Sequence, residues 1–178
     1  MSIYYSKKEL ILRVVWGVIY PLFFRLSPRL CYSWRNQILR LMGAKIGANV
    51  RIFPSAKITF PWLLDIGDGV VVSWNVRIYN LGMTTIGEKT TISQHAHLCG
   101  GTHDFENKGF VLQRTGLTIG KRVWIAADAF IGPRVVVGDD SVVAARAVVV
   151  KNVDPNTLVG GNPAKVIRSI RGAFSVEK

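Results

Sequence analysis

Three histidines, His95, His97 and His103, lie within nine residues of this 178-residue chain. Imidazole exchanges a proton near neutral pH, so each of them is a candidate general acid or base. His103 is followed directly by Asp104. Because adjacent residues rarely face each other, we expect Asp104 to contact a substrate or to shape its loop rather than to orient His103.

The same histidines raise the question of a metal site. Three histidines can bind zinc, but a tetrahedral site needs ligands that converge from several directions. All three fall in one short segment here, so we expect no metal. Cys99 lies close to His103 and could act as a nucleophile. The simpler interpretation is a small residue at a corner of the fold.

A six-residue repeat must position these side chains. In this repeat an aliphatic residue recurs every six positions. A mostly small or β-branched residue lies two positions before each aliphatic residue, and glycine often follows the aliphatic residue. A fixed repeat of this kind predicts an all-β solenoid, a parallel β-helix of about five triangular turns. The aliphatic positions are Ile46, Ile52, Ile58, Ile66, Val72, Ile78, Ile86, Ile92, Leu98, Ile119, Ile125, Ile131, Val137, Val143 and Val149.

Departures from the six-residue spacing divide the repeat into turns. The steps from Ile58 to Ile66 and from Ile78 to Ile86 are eight residues long, so each group of three hexads is one turn. The step from Leu98 is twenty-one residues long and falls at the same corner. It predicts a loop at about residues 100–116 that carries His103, and loops of this length are usually functional.

The chain divides into an N-terminal segment (1–43), the coil (44–151) and a C-terminal tail (152–178). We expect the N-terminal segment to be helical, with Pro21 ending or kinking the first helix and a second helix over about 32–42. The apolar run at 14–24 is too short to cross a membrane.

Two interpretations of the N-terminal segment remain open. It packs against the coil, or it lies in a membrane interface with Trp16, Tyr20, Phe23 and Phe24 in the acyl boundary. Residues 1–40 hold seven Lys or Arg residues against one acidic residue, which favours peripheral contact with an anionic membrane.

Net charge and residue composition limit the classes of binding partner that we expect. The formal net charge of +12 indicates an acidic partner, either a phosphorylated cofactor or an anionic membrane. Basic and aromatic residues do not interleave as in nucleic-acid-binding modules, so we expect no nucleic acid partner.

The two cysteines form no disulfide framework, and no signal-peptide cleavage site follows the apolar run. We expect a cytoplasmic protein, with membrane contact confined to the inner face of the cytoplasmic membrane.

Four strings of the sequence carry a family resemblance: Trp34–Gly47, Leu98–Asp104, Val123–Ala127 and Gly160–Ile167. They resemble the hexapeptide-repeat acyltransferases. Within that family the chain is similar to the O-acetyltransferases of exopolysaccharide synthesis, particularly the colanic acid type. The resemblance implies a left-handed β-helix, a homotrimer with active sites between neighbouring subunits, and acetyl-CoA as co-substrate.

The resemblance also suggests roles for the polar residues. His103 matches the catalytic histidine, which would take a proton from the acceptor hydroxyl. Asp104 is a candidate acceptor-binding residue. His95 and His97 point outward from the coil and could contact the acceptor or line the groove, and Asn80, at the corner one turn below, could also touch a sugar.

Coenzyme A would lie along the upper turns and the tail. Trp124, Ala126 and Ala144 are candidates for contact with the pantetheine arm, because small residues let it approach the backbone. Lys165 and Arg168 could pair with the nucleotide phosphates, although solvated tail charges are an equal interpretation.

The sequence therefore predicts an acetyl-CoA-dependent O-acetyltransferase for a free or lipid-linked saccharide in surface polysaccharide biosynthesis. A small metabolite or an antibiotic is an alternative acceptor. A zinc carbonic-anhydrase-like enzyme and a non-catalytic structural prism are the less favoured alternatives.

Overall fold

A coil of very short strands forms most of the molecule. The structure, a computed structural model, describes residues 5–106 and 109–170; the outer ends of the predicted N-terminal segment and tail lie outside them. The strands are β1 (Lys45–Ile46), β2 (Arg51–Ile52), β3 (Lys57–Ile58), β4 (Leu64–Ile66), β5 (Val71–Val72), β6 (Arg77–Tyr79), β7 (Thr84–Ile86), β8 (Thr91–Ile92), β9 (His97–Cys99), β10 (Gly101–His103), β11 (Leu112–Arg114), β12 (Leu117–Ile119), β13 (Trp124–Ile125), β14 (Phe130–Ile131), β15 (Val136–Val137), β16 (Val142–Val143), β17 (Val148–Val149), β18 (Thr157–Gly160) and β19 (Lys165–Ser169).

The strands of the coil stack into three parallel sheets, here called the first, second and third faces. The first face contains β1, β4, β7, β12 and β15, and the third contains β3, β6, β9, β14 and β17. The second runs from β2 through β5, β8, β13 and β16 to β18, and the antiparallel strand β19 closes its edge. Residues of equal phase, meaning residues at the same position in successive turns, pair directly, as Ile66 does with Ile46 and Ile86. This is the predicted parallel β-helix.

The coil continues beyond the predicted boundary at residue 151. Five turns are complete, and a sixth begins where Val153 bridges Val137 and β18 pairs with β16. Val153 and Val159 keep the six-residue spacing, but they follow Val149 after a step of only four residues. The shortened step hides the sixth turn in the sequence, so residues 152–160 belong to the coil and not to a tail.

The interior is filled by the repeat itself. All fifteen aliphatic positions are buried, as are the residues two positions before each of them. Burying one such aliphatic side chain contributes about 1.5–3 kcal/mol. A single turn cannot bury its own apolar edge, so the stacking of turns supplies the core.

Glycine recurs at the corner after the first face because successive turns touch there. A Cβ atom on Gly87 would lie 2.6 Å from the carbonyl carbon of Gly120 and 2.6 Å from the nitrogen of Lys121. Gly47, Gly67 and Gly120 approach the next turn in the same way. The glycine column therefore reflects turn-to-turn contact rather than only the bend within one turn.

Two helices and a π-helical turn precede the coil. Helix α1 (Lys7–Ile19) begins with a capping box in which the Ser6 and Glu9 side chains bond each other's backbone N–H groups. The π-helical turn (Tyr20–Arg25) follows, with Pro21 near its start, and α2 (Tyr32–Leu41) leads into β1. Proline lacks a backbone N–H and clashes with the preceding turn, which explains the change of helix type.

The N-terminal segment packs on the coil through residues that the membrane interpretation placed in lipid. Trp16 and Phe24 are buried, and the indole N–H of Trp16 donates to the carbonyl oxygen of Ile58 at 2.8 Å. The Tyr20 hydroxyl donates to the carbonyl oxygen of Ala56. Only Phe23 of the four aromatic residues is well exposed, at 52%. Of the two open interpretations, packing on the coil is correct for Trp16 and Phe24, and their placement in the acyl boundary is wrong, because the coil covers both side chains.

Arg35 fixes α2 to the coil. It is fully buried, and its guanidinium donates to the carbonyl oxygens of Ile52, Pro28 and Arg29 and to the Ser27 hydroxyl. These acceptors satisfy the buried cation without a carboxylate. In the described part of the chain, no helix combines the length and the apolar character needed to cross a bilayer.

The glycine column yields a paired stability prediction. Gly87→Ala is expected to lower the free energy of unfolding by about 1–3 kcal/mol, because its methyl group would overlap backbone. Gly17→Ala, the same change in α1 with no atom within 4 Å, is expected to raise it by about 0.5–1 kcal/mol. Thermal denaturation at a fixed protein concentration measures both. Equal effects of the two variants would contradict the turn-contact explanation.

Candidate active site

A hairpin leaves the coil where the sequence marks its longest interval. Strands β10 and β11 pair antiparallel, with Gly101 opposite Arg114 and His103 opposite Leu112. The hairpin follows β9 on the third face and returns to the first face at β12. It therefore projects from the corner between these two faces.

His103 lies on β10 with an exposed ring that is held from one side. Its Nδ1 lies 2.9 Å from the carbonyl oxygen of Phe110, and the two rings stack at 4.3 Å with an interplanar angle of 9°. A carbonyl oxygen can only accept, so Nδ1 carries a proton, and in the neutral form of the ring the lone pair lies on Nε2. The arrangement orients the imidazole so that this neutral form can accept a proton at Nε2.

Asp104 continues the hairpin. Its backbone N–H donates to the carbonyl oxygen of Val111 at 2.8 Å, and the residue is half-buried. The Phe110 carbonyl is the group that bonds Nδ1 of the His103 ring. Cys99 lies at the end of β9, where its thiol donates to the carbonyl oxygen of Gly101.

The base of the hairpin is tied to the start of α1. The Arg114 guanidinium forms an ion pair with Glu9 and donates from Nε to the carbonyl oxygen of Leu81 at 3.0 Å. It also lies over the ring of Tyr5, 4.7 Å from the centroid. The hydrogen bond from Arg114 lowers the pKa of Glu9, as does the Ser6 backbone N–H. The N-terminal segment thereby contacts the element that carries His103.

His95 and His97 lie apart from the hairpin, beside a groove. His95 is exposed at a corner with φ of 61°, and His97 is half-buried on β9. Burial, together with the charge of Arg77, lowers the pKa of His97, which favours its neutral form. The groove has a volume of about 440 Å³, and its lining residues are Lys57, Asn75, Arg77, His95, His97 and Asp128.

The sequence analysis missed four of these lining residues, Lys57, Asn75, Arg77 and Asp128. The register contained the signal, because Asn75 precedes His95 by twenty residues, and Arg77 precedes His97 by the same interval. Twenty residues is the length of one turn at this height of the coil. Residues at that separation stack on the same corner or strand position.

Asn80 does not lie on the surface. It is fully buried, its Nδ2 donates to the carbonyl oxygens of Phe60 and Leu63, and its Oδ1 accepts from the Phe60 N–H. The predicted contact of Asn80 with a sugar is therefore wrong for this fold. The eight-residue step after Ile58 leaves backbone groups at this corner without ladder partners, and the amide satisfies them.

The candidate cofactor residues lie on the upper turns. Trp124 is 43% exposed on β13, and its indole N–H donates to the Ser93 hydroxyl. Ala126 and Ala144 follow β13 and β16, so they stack at one corner, with Gly160 above them.

The tail strand borders this column of small residues. Lys165 pairs with Gly160, and Arg168 with Leu158, and both basic side chains are exposed. A Cβ atom on Gly160 would lie 2.8 Å from Cδ1 of Ile167 on β19 and 3.2 Å from the Cβ atom of Ala144, so only a small residue fits at this position. A column of small residues with basic side chains beside it is compatible with a thin pantetheine arm and its phosphates.

Among residues 5–106 and 109–170, no three His, Cys, Asp or Glu side chains are grouped so that they could hold a metal ion. His103 stacks on Phe110 while His97 packs edge-on against Phe130, with the two ring centroids 5.4 Å apart.

Comparison with known proteins assigns the family. A family model described as bacterial transferase hexapeptide (six repeats) matches residues 116–151. The protein of Escherichia coli K12 named as the colanic acid biosynthesis acetyltransferase WcaF is 46% identical over 154 residues, which cover 86% of this chain and 85% of that protein. The chain belongs to the hexapeptide-repeat acetyltransferases.

Two further relatives extend this assignment. The galactoside O-acetyltransferase of Escherichia coli K12 is 30% identical over 142 residues, covering 76% of this chain and 68% of that protein. A hexapeptide-repeat acetyltransferase of Vibrio cholerae, solved with acetyl-CoA, superposes with a TM-score of 0.84 at 28% identity over 93% of this chain and 91% of that one. The predicted left-handed β-helix, the enzyme class and acetyl-CoA as co-substrate are confirmed.

The Glu9–Arg114 contact of this acetyltransferase yields a pH prediction. Gln at position 9 preserves the capping box but removes the charge. Glu9→Gln is expected to lower the free energy of unfolding by about 0.5–1 kcal/mol at pH 7. Because the folded-state pKa of Glu9 is lowered, its stabilisation is present above the unfolded-state pKa and is lost as the pH falls through the folded-state pKa.

Denaturation of the single and double variants from pH 7 to about pH 3 checks this expectation. Glu9→Gln should change little in the background of Arg114→Gln, because the partner is already absent. Equal destabilisation in both backgrounds, or a loss independent of pH, would contradict the ion-pair explanation.

Proposed function

We propose that this acetyltransferase transfers the acetyl group of acetyl-CoA directly to a saccharide hydroxyl, with His103 as general base. The observation that carries the proposal is the Nδ1 contact with the Phe110 carbonyl, which leaves the lone pair on Nε2. The hydroxyl oxygen attacks the thioester carbonyl carbon, and the carbon–sulfur bond breaks. The hydroxyl proton passes to Nε2 and from there to the departing thiolate, so no covalent acyl-enzyme is required.

The co-substrate would lie along the small-residue corner. Trp124, Ala126 and Ala144 would border the pantetheine arm, and Lys165 and Arg168 would pair with the phosphates. The stacking of Ala126 and Ala144 on successive turns below the Lys165–Gly160 pair supports this assignment.

The acceptor is proposed to be a saccharide of surface polysaccharide biosynthesis. The 46% identity to the protein named for colanic acid biosynthesis and the similarity to a galactoside O-acetyltransferase support this class. Asp104, His95 and His97 are the proposed acceptor contacts. A homotrimer, typical of this family, would bring the hairpin of one subunit beside the groove of its neighbour.

The enzyme is also proposed to dock on the inner face of the cytoplasmic membrane and to act on a lipid-linked acceptor. Helix α1 has two apolar faces: Leu12, Trp16 and Ile19 pack on the coil, and a second set faces away. Their spacing places the second set on one side of the helix. The exposed set is Leu10 (45%), Ile11 (65%), Val14 (71%), Val15 (39%) and Val18 (54%).

Charge complementarity favours an anionic lipid surface as the occupant of this exposed face. Lys7 and Lys8 are exposed at the beginning of α1, and Arg25 and Arg29 are exposed beyond its end. Leu22, Phe23 and Leu26 extend the apolar surface between them. Apolar area flanked by cations is the pattern of interfacial helices that bind anionic leaflets.

The catalytic proposal predicts the effect of removing the imidazole. His103→Ala should lower kcat/KM for acetyl transfer by about 10²–10⁴-fold, because the base is lost, while acetyl-CoA binding by calorimetry stays unchanged. Thiol release in the presence and absence of sugar acceptors measures the rate. Retained turnover would assign the base to another group.

The membrane proposal predicts selective loss of vesicle binding. Val14→Glu combined with Val18→Glu should weaken binding to phosphatidylglycerol vesicles by about tenfold or more, because two apolar contacts are lost and like charge is added. Val136→Glu combined with Val150→Glu, the same double change at coil sites that are 44% and 54% exposed, should leave binding unchanged. Equal binding to phosphatidylcholine vesicles would contradict the role of the cations.

A further inference from the structure

Three basic side chains stand in register on the outside of the third face. Lys57 on β3 pairs with Arg77 on β6, and Arg77 pairs with His97 on β9. Their neighbours Ile58, Ile78 and Leu98 fill the interior, so the basic residues point outward. Neighbouring strands lie about 4.8 Å apart, which holds Lys57, Arg77 and His97, here called the basic ladder, at close spacing.

Such a ladder is unfavourable for the protein alone. Like charges directly opposite each other on neighbouring strands repel and destabilise a sheet. In the described parts of the chain, the ion pairs of 4.0 Å or less involve Arg114, Lys121 and Arg122, and none includes Lys57 or Arg77. Asp128, at the adjoining corner, is the one carboxylate among the residues that line the groove.

The ladder also borders open space next to the catalytic hairpin. Lys57, Arg77 and His97 line the 440 Å³ groove and a second hollow of about 340 Å³ that reaches Tyr79 and Cys99. Cys99 ends β9, and the chain continues through Gly100 into β10 with His103. The basic ladder therefore lies on the surface that leads to the proposed base.

We infer that the basic ladder binds an oxyanion of the acceptor, so that the preferred saccharide carries a phosphate, a diphosphate or a carboxylate. The inference rests on the proposed function and specifies its substrate. The Arg77 guanidinium presents paired N–H donors that match two oxygens, and Lys57 adds a point charge. His97 in its neutral form supplies a further hydrogen bond. An anion at this position removes the repulsion within the ladder.

The co-substrate phosphates are assigned elsewhere. The column of Ala126, Ala144 and Gly160 lies on turns above the ladder, and Lys165 and Arg168 lie beside it on β19. The ladder occupies the three lowest turns of the third face. The two sets of cations are therefore distinct, and substitutions in them are expected to change different kinetic constants.

Acceptor kinetics test the inference. We expect the wild type to prefer methyl glucuronide, glucose 1-phosphate or prenyl-diphosphate-linked glucose over methyl glucoside, and the rank of the three anions identifies the source of the oxyanion. Arg77→Gln should raise KM for the preferred anionic acceptor by about 10–100-fold, because a charge-assisted hydrogen bond is lost. The KM for acetyl-CoA and the rate with methyl glucoside should not change.

Arg51→Gln is the matched control, since Arg51 is an exposed arginine at the equivalent strand position on the second face. Calorimetry with inorganic diphosphate at saturating coenzyme A tests the anion site without turnover. Binding should be present in the wild type and in Arg51→Gln and lost in Arg77→Gln with Lys57→Gln.

Several outcomes would overturn the inference. If the enzyme used neutral and anionic sugars equally, and Arg77→Gln left the acceptor KM unchanged, the inference would be overturned while the proposed function stayed intact. A raised KM for acetyl-CoA in Arg77→Gln would assign the ladder to the co-substrate, and dissociation of the oligomer would assign it to a subunit contact. Failure to acetylate any sugar would count against the proposed function, and the diphosphate titration would still decide the anion site.

Discussion

Direct stacking of one turn on the next is the constraint on which this structure depends. Each very short strand gains its hydrogen bonds only from the turns above and below it, so no element of the coil is stable alone. Stacking without slippage forces residues of equal phase into columns. The aliphatic column makes the core, the glycine column lets turns touch, and the outward columns become straight rows of side chains on flat faces. The position of a residue within its turn therefore decides which column, and which functional surface, its side chain joins.

The same constraint explains how the site is divided. Rows on the coil cannot bend toward a substrate, so an element that departs from the coil must carry a group that reaches away from it. The β10–β11 hairpin is that element, and it is held at its base by Arg114 and at His103 by the Phe110 carbonyl. The coil supplies a rigid surface of small and basic side chains, and the hairpin supplies the imidazole.

Sequence spacing alone predicted the features of the fold that depend on the position of a residue within its turn. The aliphatic positions from Ile46 to Val149 and the corner of the extruded hairpin follow from counting residues. Spacing could not show that Asn80 turns inward, because that depends on backbone groups left unpaired at an irregular corner. It missed the sixth turn at Val153 because one step is shortened. The environment of Trp16 stayed open between coil and membrane, because a helix with two apolar faces does not reveal which one the coil covers.

The bond from His103 to the Phe110 carbonyl has an evolutionary consequence. The ring is bonded by a backbone atom on the opposite side of the hairpin, which any residue at position 110 offers, and an aromatic residue there also keeps the stacking contact. The six residues between them are thus under little demand from the imidazole itself. Insertions, deletions and exchanges in this span can diversify what the hairpin reaches while the imidazole of His103 stays in place. With His103 as the proposed base, the hairpin is a module on which new acceptor preferences can evolve without rebuilding that base.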